Sequence, residues 1–413
     1  MGHFLFVAPP FHGHLRPMAA LGHALAARGH RVTFAAVPDA RARIEALGHA
    51  SIEVGRTSHP PGFLAAAEDR MARSGAMAGL GPVIADMASM TDSLCRDLPE
   101  VVEATGVDAI VSDQLEAAGG LVARGLGLPY ATIANALPID RDEGQAPFFT
   151  GWGPPRSRWE FQRSEGAERV ADWMMRRLGT VIARHAAAFD VGPVTTPANL
   201  LSPAVNIGQL TPRLNFGCEP RWRQDVGPLQ RPAGETVRTA TERGRPLVYA
   251  SLGTLFGRRT DLLAGIVAAT RDFEVDVVLA HGGQARVEDI GPSRSGLEIT
   301  SWVDQRAVLS EAAVCITHAG MNTTLDAALA GVPLVAVPVA FDQPGIAARI
   351  AHAGLGLVVP PGLRFAVRLK TALGTLLAEL PAYRATAREV AAEIATTGGA
   401  AAAALRLEDL VAG

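Results

Sequence analysis

The sequence predicts an α/β protein with two parallel-sheet domains, and three observations lead to this fold class. Short apolar runs alternate with longer helical stretches in both halves of the chain, which is typical of parallel sheets covered by helices on both faces. The alternation stops at about residue 137 and resumes at residue 246, which separates two such units. A chain of 413 residues is also too long for one ordinary domain and fits about two.

Each element follows from its local pattern. Apolar runs in the first half predict strands at residues 4–9, 32–37, 107–112 and 130–134. A helix is predicted at residues 15–28, after the first of these strands. The same pattern predicts second-half strands at residues 247–251, 275–280, 297–302, 314–317, 334–337 and 355–359. Residues 220–244 are rich in Pro, Gly, Arg and Thr without periodicity, which indicates an interdomain connection.

Composition argues against several classes of protein. With 48% hydrophobic residues, 19% charged residues and a formal net charge of -3, the chain has no basic surplus for a nucleic-acid partner. Cys95, Cys218 and Cys315 share no metal-ligand or disulfide spacing, which suits a cytoplasmic protein. No window reaches the roughly 18 continuous apolar residues of a membrane-spanning helix. Lys370 is the only lysine, so P-loop and Schiff-base chemistry are not expected.

The clearest chemical signal is the turn from a predicted strand into a helix at residues 317–323, Thr-His-Ala-Gly-Met-Asn-Thr. In parallel sheets, ligands bind beyond the carboxyl ends of strands, and the free N–H groups of a helix start favour anions. Gly320 lets backbone approach a phosphate. His318, Asn322 and Thr323 offer hydrogen-bond donors. The segment predicts a phosphate cradle without lysine or metal, with ordinary helix capping by Asn and Thr as the alternative.

Nearby residues extend this cradle to a whole nucleotide sugar. Trp302 ends the preceding predicted strand, where its ring can stack on a base, and Gln305 follows it. Asp326 lies one helical turn beyond the cradle, where a carboxylate can accept the two hydroxyls of a ribose. Asp342 and Gln343 begin the next predicted helix, and a carboxylate beside an amide suits the hydroxyls of a sugar.

These motifs resemble the donor-binding signature of the UDP-glycosyltransferase family, glycosyltransferase family 1. The shared pattern is Trp302-Val303-Asp304-Gln305, His318-x-Gly320-x-Asn322-Thr323-x-x-Asp326, Gly331-x-Pro333 and Asp342-Gln343. The resemblance implies the GT-B architecture, in which two Rossmann-like domains face a central cleft. It implies an acceptor-binding domain at residues 1–219, a linker at 220–244 and a nucleotide-sugar-binding domain at 245–413. The C-terminal helix is expected to cross back to the first domain.

The resemblance also implies how the nucleotide binds. In the family, the residue at the position of Trp302 stacks on uracil. The residues at the positions of His318, Asn322 and Thr323 bind the pyrophosphate. Ser251-Leu252-Gly253-Thr254 resembles the first loop of the family's donor domain, which implies that Thr254 lies near the phosphates.

The sugar side of the donor follows in the same way. The position of Asp326 holds the ribose, and the positions of Asp342 and Gln343 hold the sugar. Plant members carry tryptophan at the position of Met321 and glutamate at that of Asp326. These two differences, with the run Phe-Asp-Gln-Pro at 341–344, are similar to bacterial carotenoid glucosyltransferases of the zeaxanthin type. The resemblance implies a UDP-sugar cosubstrate, most simply UDP-glucose, and a hydroxylated carotenoid acceptor.

A base is expected at the end of the first predicted strand. Inverting transfer needs one group to take the proton of the acceptor hydroxyl, and neutral histidine suits this task. Residues 13–17, Gly-His-Leu-Arg-Pro, match the family's G-H-x-x-P, which implies that His14 is the base. Asp113 ends another strand at the same sheet edge and matches the carboxylate that orients this histidine in the family. His12 is a rival base, and a capping or solvated His14 is the other alternative.

An aromatic segment follows the first-half sheet. Phe148, Phe149 and Trp152 are expected to line the site of a large lipophilic alcohol, with a surface helix packed on the domain as the alternative. Arg176 and Arg177 could rest on an anionic membrane surface, which would add peripheral contact at the inner membrane to a cytoplasmic location. Polyketide, macrolide and sterol alcohols remain open as acceptors.

Other activities have weaker signals. The D-x-D string Asp140-Arg141-Asp142 lies outside the expected donor domain, so we interpret it as loop charge and expect no metal and no cofactor. Gly125-x-Gly127 and Gly354-x-Gly356 lack the third glycine of a dinucleotide fingerprint, which weakens the alternative of a dinucleotide-dependent oxidoreductase. A non-catalytic sugar-nucleotide-binding protein is a third alternative, and the predicted histidine–aspartate pair argues against it.

Overall fold

The computed structural model describes residues 1–73, 79–141, 144–230, 244–292 and 294–412. These residues form two parallel sheets, each flanked by helices. The two sheets lie in the two halves of the chain, where the alternation of apolar runs and helical stretches predicts them.

Seven parallel strands of the described chain form the first sheet. They are β1 (His3–Val7), β2 (Arg31–Ala36), β3 (Ala50–Glu53), β4 (Ala109–Asp113), β5 (Tyr130–Ile133), β6 (Val205–Gly208) and β7 (Gln224–Asp225). Their order across the sheet is β3-β2-β1-β4-β5-β6-β7. The central strands β1 and β4 are buried at every residue, whereas the edge strands β3 and β7 are partly exposed.

Six further parallel strands form the second sheet within the described residues. They are β8 (Leu247–Ser251), β9 (Asp276–Ala280), β10 (Leu297–Thr300), β11 (Ala312–Thr317), β12 (Leu334–Ala336) and β13 (Gly356–Val358). Their order is β10-β9-β8-β11-β12-β13. β8, β11 and β12 are buried throughout, as expected of apolar strands covered on both faces.

Helices connect most of these strands. In the first half they are α1 (His12–Ala26), α2 (Arg41–Ala46), α3 (Phe63–Arg73), α4 (Leu80–Thr105), α5 (Ala117–Leu126), α6 (Arg158–Met174) and α7 (Arg176–Ala188). In the second half they are α8 (Gly253–Phe256), α9 (Thr260–Thr270), α10 (Gln305–Glu311), α11 (Met321–Leu329), α12 (Gln343–His352), α13 (Phe365–Ala378), α14 (Leu380–Ala395) and α15 (Gly399–Glu408). None of these helices is long and apolar enough to cross a membrane.

The first sheet extends further along the chain than predicted. The alternation does not end at residue 137, because β6 and β7 continue the sheet after the helices α6 and α7. The prediction was wrong here because Asn206 and Gly208 interrupt the apolar residues of β6, and β7 consists of two polar residues, so neither strand shows a recognisable apolar run. β7 also lies inside the predicted connection at 220–244, of which residues 231–243 lie outside the described residues.

The C-terminal helix α15 packs against α1 of the first half. Arg28, which follows the end of α1, donates to both carboxylate oxygens of Glu408, with N–O distances of 2.8 and 2.6 Å. His30 Nε2 lies 2.9 Å from the same carboxylate. Leu407, the residue before it, is fully buried. These contacts hold the end of the chain on the first sheet.

Candidate active site

A large cleft lies between the two sheets. Its cavity volume is about 1080 Å³. The segments that line it include those that follow the carboxyl ends of β1, β4 and β5 on one side and of β8, β10, β11 and β12 on the other. Ligands of parallel sheets bind at such ends. Both predicted parts of the site therefore face the same space.

His14 and Asp113 are in direct contact. His14 lies in the first turn of α1, and its Nδ1 is 2.7 Å from Oδ2 of Asp113 at the end of β4. Because an ionised carboxylate only accepts hydrogen bonds, Nδ1 carries the proton and Nε2 is the free basic nitrogen. His14 lines the cleft, whereas Asp113 is 1% exposed and lies behind it. This is the order in which a carboxylate orients a histidine base.

Opposing influences set the pKa of His14. Burial is the largest of them and lowers the pKa. The charge and hydrogen bond of Asp113, together with the charge of Asp342, outweigh burial, so the net effect is a pKa raised above the usual value of histidine. Nε2 of His14 therefore binds a proton more readily than an ordinary histidine does, which suits a general base.

His12, the rival base, has different surroundings. It lines the cleft with its ring centroid 6.1 Å from that of Trp302. Burial lowers the pKa of His12, and the nearby Arg43 lowers it further. No carboxylate among the described residues hydrogen-bonds to it. His12 thus lacks the orienting partner that His14 has.

Asn135 contacts the pair formed by His14 and Asp113, although the sequence analysis did not name it as a site residue. Its Nδ2 donates to Oδ2 of Asp113 at 2.8 Å, and its Oδ1 accepts from Nε2 of Gln209 at 3.3 Å. Asn135 follows β5, the neighbour of β4, and so reaches the same sheet edge. A polar residue just after a predicted strand is the signal that could have indicated it.

The N-terminus of α11 is open toward the cleft. The helix begins at Met321, and no side chain caps it. Asn322 instead donates from Nδ2 to the backbone oxygen of Gly13 across the cleft, at 2.9 Å, and Thr323 donates to Gln305 at 3.0 Å. The first N–H groups of a helix have no acceptor within it, so this end can receive an anion. The alternative of ordinary capping by Asn322 and Thr323 is therefore wrong.

The ring of His318 fills the space between Gly320 of the cradle and Gly253 at the start of α8. A Cβ added to Gly320 would lie 2.3 Å from Nε2 of His318, and one added to Gly253 would lie 2.7 Å from its Cε1. Burial lowers the pKa of His318 to about 4. The ring is therefore neutral at pH 7, and His318 can offer a hydrogen bond but no charge.

Both loops that face the donor side of the cleft are held in place by strained backbone residues. Ala319 and Phe341 have φ values of 63° and 58°, in the left-handed region that favours glycine. Such conformations cost about 1–3 kcal/mol and collect at functional sites. They occur here directly after His318 and directly before Asp342.

Gln305 connects the cradle to Asp326. Its Nε2 donates to Oδ2 of Asp326, and its Oε1 accepts from Thr323. The other carboxylate oxygen of Asp326 accepts from Gln230. Gln305 lines the cleft and Asp326 does not. The contact of Asp326 with a ribose stays a prediction, and Gln305 is the residue of this pair that lines the cleft.

Asp342 and Gln343 stand at the start of α12, and both line the cleft. Oε1 of Gln343 accepts from the backbone N–H groups of Val339 and Ala340, at 2.7 and 3.0 Å, so Nε2 is left for a ligand. Oδ2 of Asp342 accepts from the backbone N–H of Leu137 at 3.0 Å, so Oδ1 is left. The pair thus presents one donor and one acceptor to the cleft.

Trp302 and Thr254 lie on the cleft wall as well. Trp302 stands two residues beyond β10 rather than at its last residue, because the strand ends at Thr300. It is 59% exposed, so its ring is open to a stacking partner. Thr254 belongs to the short helix α8, directly after Gly253, which contacts His318.

The first-half side of the cleft is an apolar chamber. Its lining from α4, α6 and α7 includes Ile84, Met87, Met90, Met174, Met175 and Leu178. Phe148, Phe149 and Trp152 line it too. The first two rings stand perpendicular with centroids 5.3 Å apart, and the guanidinium of Arg163 covers Trp152 at 3.9 Å. The three predicted aromatic residues therefore face the cleft.

The other aromatic residues of this segment face outward. Trp159, Phe161 and Trp173 are 64%, 41% and 64% exposed on α6. The aromatic segment therefore contains both features that the sequence left open, a wall of the cleft and a surface helix.

No metal site is found in the part of the chain that the structure describes, since no group of three His, Cys, Asp or Glu side chains could hold an ion there. Asp140 of the D-x-D string pairs with Arg223, and Arg141 pairs with Asp172. Asp142 lies outside the described residues.

A helix N-terminus that can receive an anion, facing a carboxylate-bound histidine across a cleft, suits transfer from a nucleotide sugar. Two parallel-sheet domains that present it in this way define a glycosyltransferase of the GT-B fold.

Comparison with known proteins agrees with this class. Residues 264–410 match the model for the erythromycin biosynthesis protein CIII-like C-terminal domain. The chain is 39% identical to a zeaxanthin glucosyltransferase of Pantoea ananas, over 86% of this chain and 84% of that protein. It is 35% identical to a zeaxanthin glucosyltransferase of Pseudescherichia vulneris, over 100% and 99% of the two chains. The glycotransferase of kitacinnamycin has the same fold, with a TM-score of 0.76 over 99% of both chains at 23% identity. The chain belongs to the UDP-glycosyltransferase family, and the predicted GT-B fold is confirmed.

Proposed function

We propose that the protein transfers a hexosyl group, with glucose the first candidate, from a UDP-sugar to the hydroxyl of a lipophilic alcohol. A hydroxylated carotenoid such as zeaxanthin is the first candidate for that alcohol. Two relatives named zeaxanthin glucosyltransferases support this choice. The apolar chamber supports it as well, because its methionine, isoleucine, leucine and aromatic side chains suit a long hydrocarbon.

In the proposed reaction, Nε2 of His14 takes the proton of the acceptor hydroxyl while the hydroxyl oxygen attacks C1 of the sugar. The bond from C1 to the diphosphate oxygen breaks on the opposite face, and UDP leaves with the electron pair. The anomeric configuration is thereby inverted. Asp113 stabilises the imidazolium that forms. The open N-terminus of α11 meets the charge that develops on the leaving diphosphate.

The contact between His14 and Asp113 is the observation that supports this proposal most, because a histidine held by a carboxylate suits a general base. His14→Ala should lower the transfer rate by a factor of about 10² to 10⁴, the usual contribution of a general base. UDP affinity, measured by calorimetry, should change little, because the donor groups belong to the second sheet. His12→Ala is the matched comparison. Loss of transfer in His12→Ala with full activity in His14→Ala would assign the base to His12.

The substrates are tested by a UDP-release assay over UDP- and dTDP-sugars and a panel of lipophilic alcohols. We expect the highest rate with UDP-glucose and a hydroxylated carotenoid, and no loss of rate with a chelator. A higher rate with a macrolide, polyketide or sterol alcohol would replace the carotenoid as acceptor.

We further propose that α6 rests on an anionic membrane surface, from which a lipophilic acceptor enters the chamber. Val170 of α6 is 49% exposed and also lines the cleft, so the outer face continues into the chamber wall. Arg163 lies over both Trp152 and Trp159, and Arg176 lies 4.5 Å from the ring centroid of Trp173. Cations next to exposed aromatic rings suit the interface of an anionic bilayer.

Flotation with anionic vesicles tests this contact. The protein should float at low salt, and a double change of Trp159 and Trp173 to serine should reduce the bound fraction. Trp222→Ser is the matched control, because this tryptophan is 77% exposed and lies outside α6. Absence of flotation by the unmodified protein at low salt would contradict the proposal.

A further inference from the structure

Glu116 is a buried carboxylic acid that the proposed reaction does not use. It follows β4, is 5% exposed and lines the cleft. Its Oε1 accepts from Oγ1 of Thr91 at 2.9 Å and from the backbone N–H of Ala118 at 3.3 Å. Its Oε2 has no hydrogen-bond partner among the described residues. Because the side chain lines the cleft, this free oxygen is available to a molecule bound there.

Capping of α5 does not by itself account for a glutamate at this position. Ser, Thr, Asp and Asn cap a helix at least as well with shorter side chains. Burying a carboxyl group is costly unless its oxygens are paired, and no basic side chain of the described chain pairs with Glu116. Burial raises the pKa of Glu116 to about 7. Near neutral pH the group is therefore partly protonated and can donate as well as accept a hydrogen bond.

Glu116 also lies close to the base. Its backbone N–H donates to the backbone oxygen of Asp113 at 3.0 Å, which closes a turn whose ends are less than about 7 Å apart. Asp113 in turn holds His14. An acceptor atom bound by Glu116 would thus lie near the hydroxyl that His14 deprotonates, and not at the far end of a long molecule.

We propose that Glu116 binds a second oxygen of the acceptor, a hydroxyl or carbonyl on the same end group as the hydroxyl that is glycosylated. This inference rests on the proposed function and narrows its acceptor class. Met87 and Met90 of α4 line the same chamber and would pack against the apolar part of the end group. The enzyme then prefers an end ring with two neighbouring oxygens to a ring that carries only the hydroxyl that is glycosylated.

Two carotenoids of the same carbon skeleton test this preference. The first carries only a hydroxyl on each end ring, and the second carries a hydroxyl and an adjacent ketone on each end ring. Affinity is measured without donor by quenching of tryptophan fluorescence, and kcat/KM is measured with UDP-glucose. The unmodified protein should favour the hydroxy-ketone roughly tenfold in both measurements, as one buried hydrogen bond allows.

Two variants assign the preference to Glu116. Glu116→Leu should reduce the ratio between the two acceptors to about one. Glu116→Gln should keep the preference, because its amide oxygen replaces Oε1 toward Thr91 and its amide N–H donates to the ketone. The ratio is taken within one protein sample, so a partly unfolded variant does not distort it.

The outcomes separate this inference from the proposed function. No preference in the unmodified protein, or an unchanged preference in Glu116→Leu, would overturn the role of Glu116 even where sugar transfer is measured. A Glu116-dependent preference in binding without any sugar transfer would support this role and contradict the proposed reaction instead. Absence of both binding and transfer would contradict both.

Discussion

Two histidines follow strands of the two sheets, and their surroundings give them opposite protonation behaviour. Around His14, the carboxylates of Asp113 and Asp342 outweigh burial and raise the pKa. Around His318, burial lowers the pKa to about 4. The same residue type is therefore more basic than an ordinary histidine on one side of the cleft and a neutral hydrogen-bonding group on the other.

The pH dependence of transfer follows from the raised pKa of His14. We expect the rate to fall as the pH drops through this pKa, because a protonated Nε2 cannot take the acceptor proton. Asp113→Asn removes a charge that raises the pKa, so the acid limb of kcat/KM should move to lower pH, while the plateau rate falls several-fold or more. A plot of log kcat/KM against pH for both proteins measures the shift. An acid limb that stays in place would exclude His14 as the titrating base.

At the scale of elements, the sequence located the strands that are buried along their whole length. β8 begins and ends at the predicted residues, and β11 begins two residues earlier than predicted. β3 and β7 were missed because they carry polar, partly exposed residues without an apolar run. Full burial is not needed for a correct prediction, because the edge strands β10 and β13 are only partly buried and were predicted from their apolar residues.

The parts of the candidate site that lie at strand ends could be predicted from the sequence. The parts that depend on contacts between residues far apart in the chain could not. The turn at 317–323 and the residues His14 and Asp113 are where the strand ends predict them. The spacing could not show that Gln230 and Gln305 occupy both oxygens of Asp326. These partners come from separate segments that only the folded chain brings together.

The loop between β11 and α11 has no room for an additional carbon atom. In Gly320→Ala the new Cβ would lie 2.3 Å from Nε2 of His318. Overpacking of this kind costs about 1–3 kcal/mol, so UDP affinity measured by calorimetry should fall roughly five- to 100-fold. Gly81→Ala on α4 is the control, since nothing lies within 4 Å of its added Cβ. Unchanged UDP affinity in Gly320→Ala would remove this loop from the donor site.

The helix α15 offers two leucines for a matched test of its docking on α1. Leu407 is fully buried, whereas Leu405 is 50% exposed. Leu407→Ala should lower the free energy of unfolding by about 2–5 kcal/mol, because it leaves a cavity between the helices. Leu405→Ala should change it by less than about 1 kcal/mol. Urea denaturation of the two variants measures the difference, and equal effects would mean that α15 does not dock as described.

At the scale of the whole molecule, contacts across the cleft join the two halves. Asn322 bonds to Gly13, the residue before His14. Asp342 bonds to the backbone of Leu137. These links join the N-terminus of α11 and Asp342 to the first turn of α1 and to the loop that follows β5. The two halves therefore form one site only while they stay close together.

Gly345 on α12 tests whether this closeness is required. An added Cβ would lie 2.1 Å from the backbone oxygen of Phe148 and 2.8 Å from Cδ1 of Leu137, both in the other half of the molecule. Alanine suits a helix better than glycine, so Gly345→Ala should leave the donor domain stable and its UDP affinity intact. The halves would be held apart, and transfer should fall at least about tenfold, because a displacement of about 1 Å in the reacting groups can cost 10²-fold. Small-angle X-ray scattering of the UDP complex should show a larger radius of gyration than that of the unmodified protein, with Gly81→Ala as the control. A variant that transfers sugar at the original rate and keeps the original radius would show that the contact between α12 and Phe148 is not needed for catalysis.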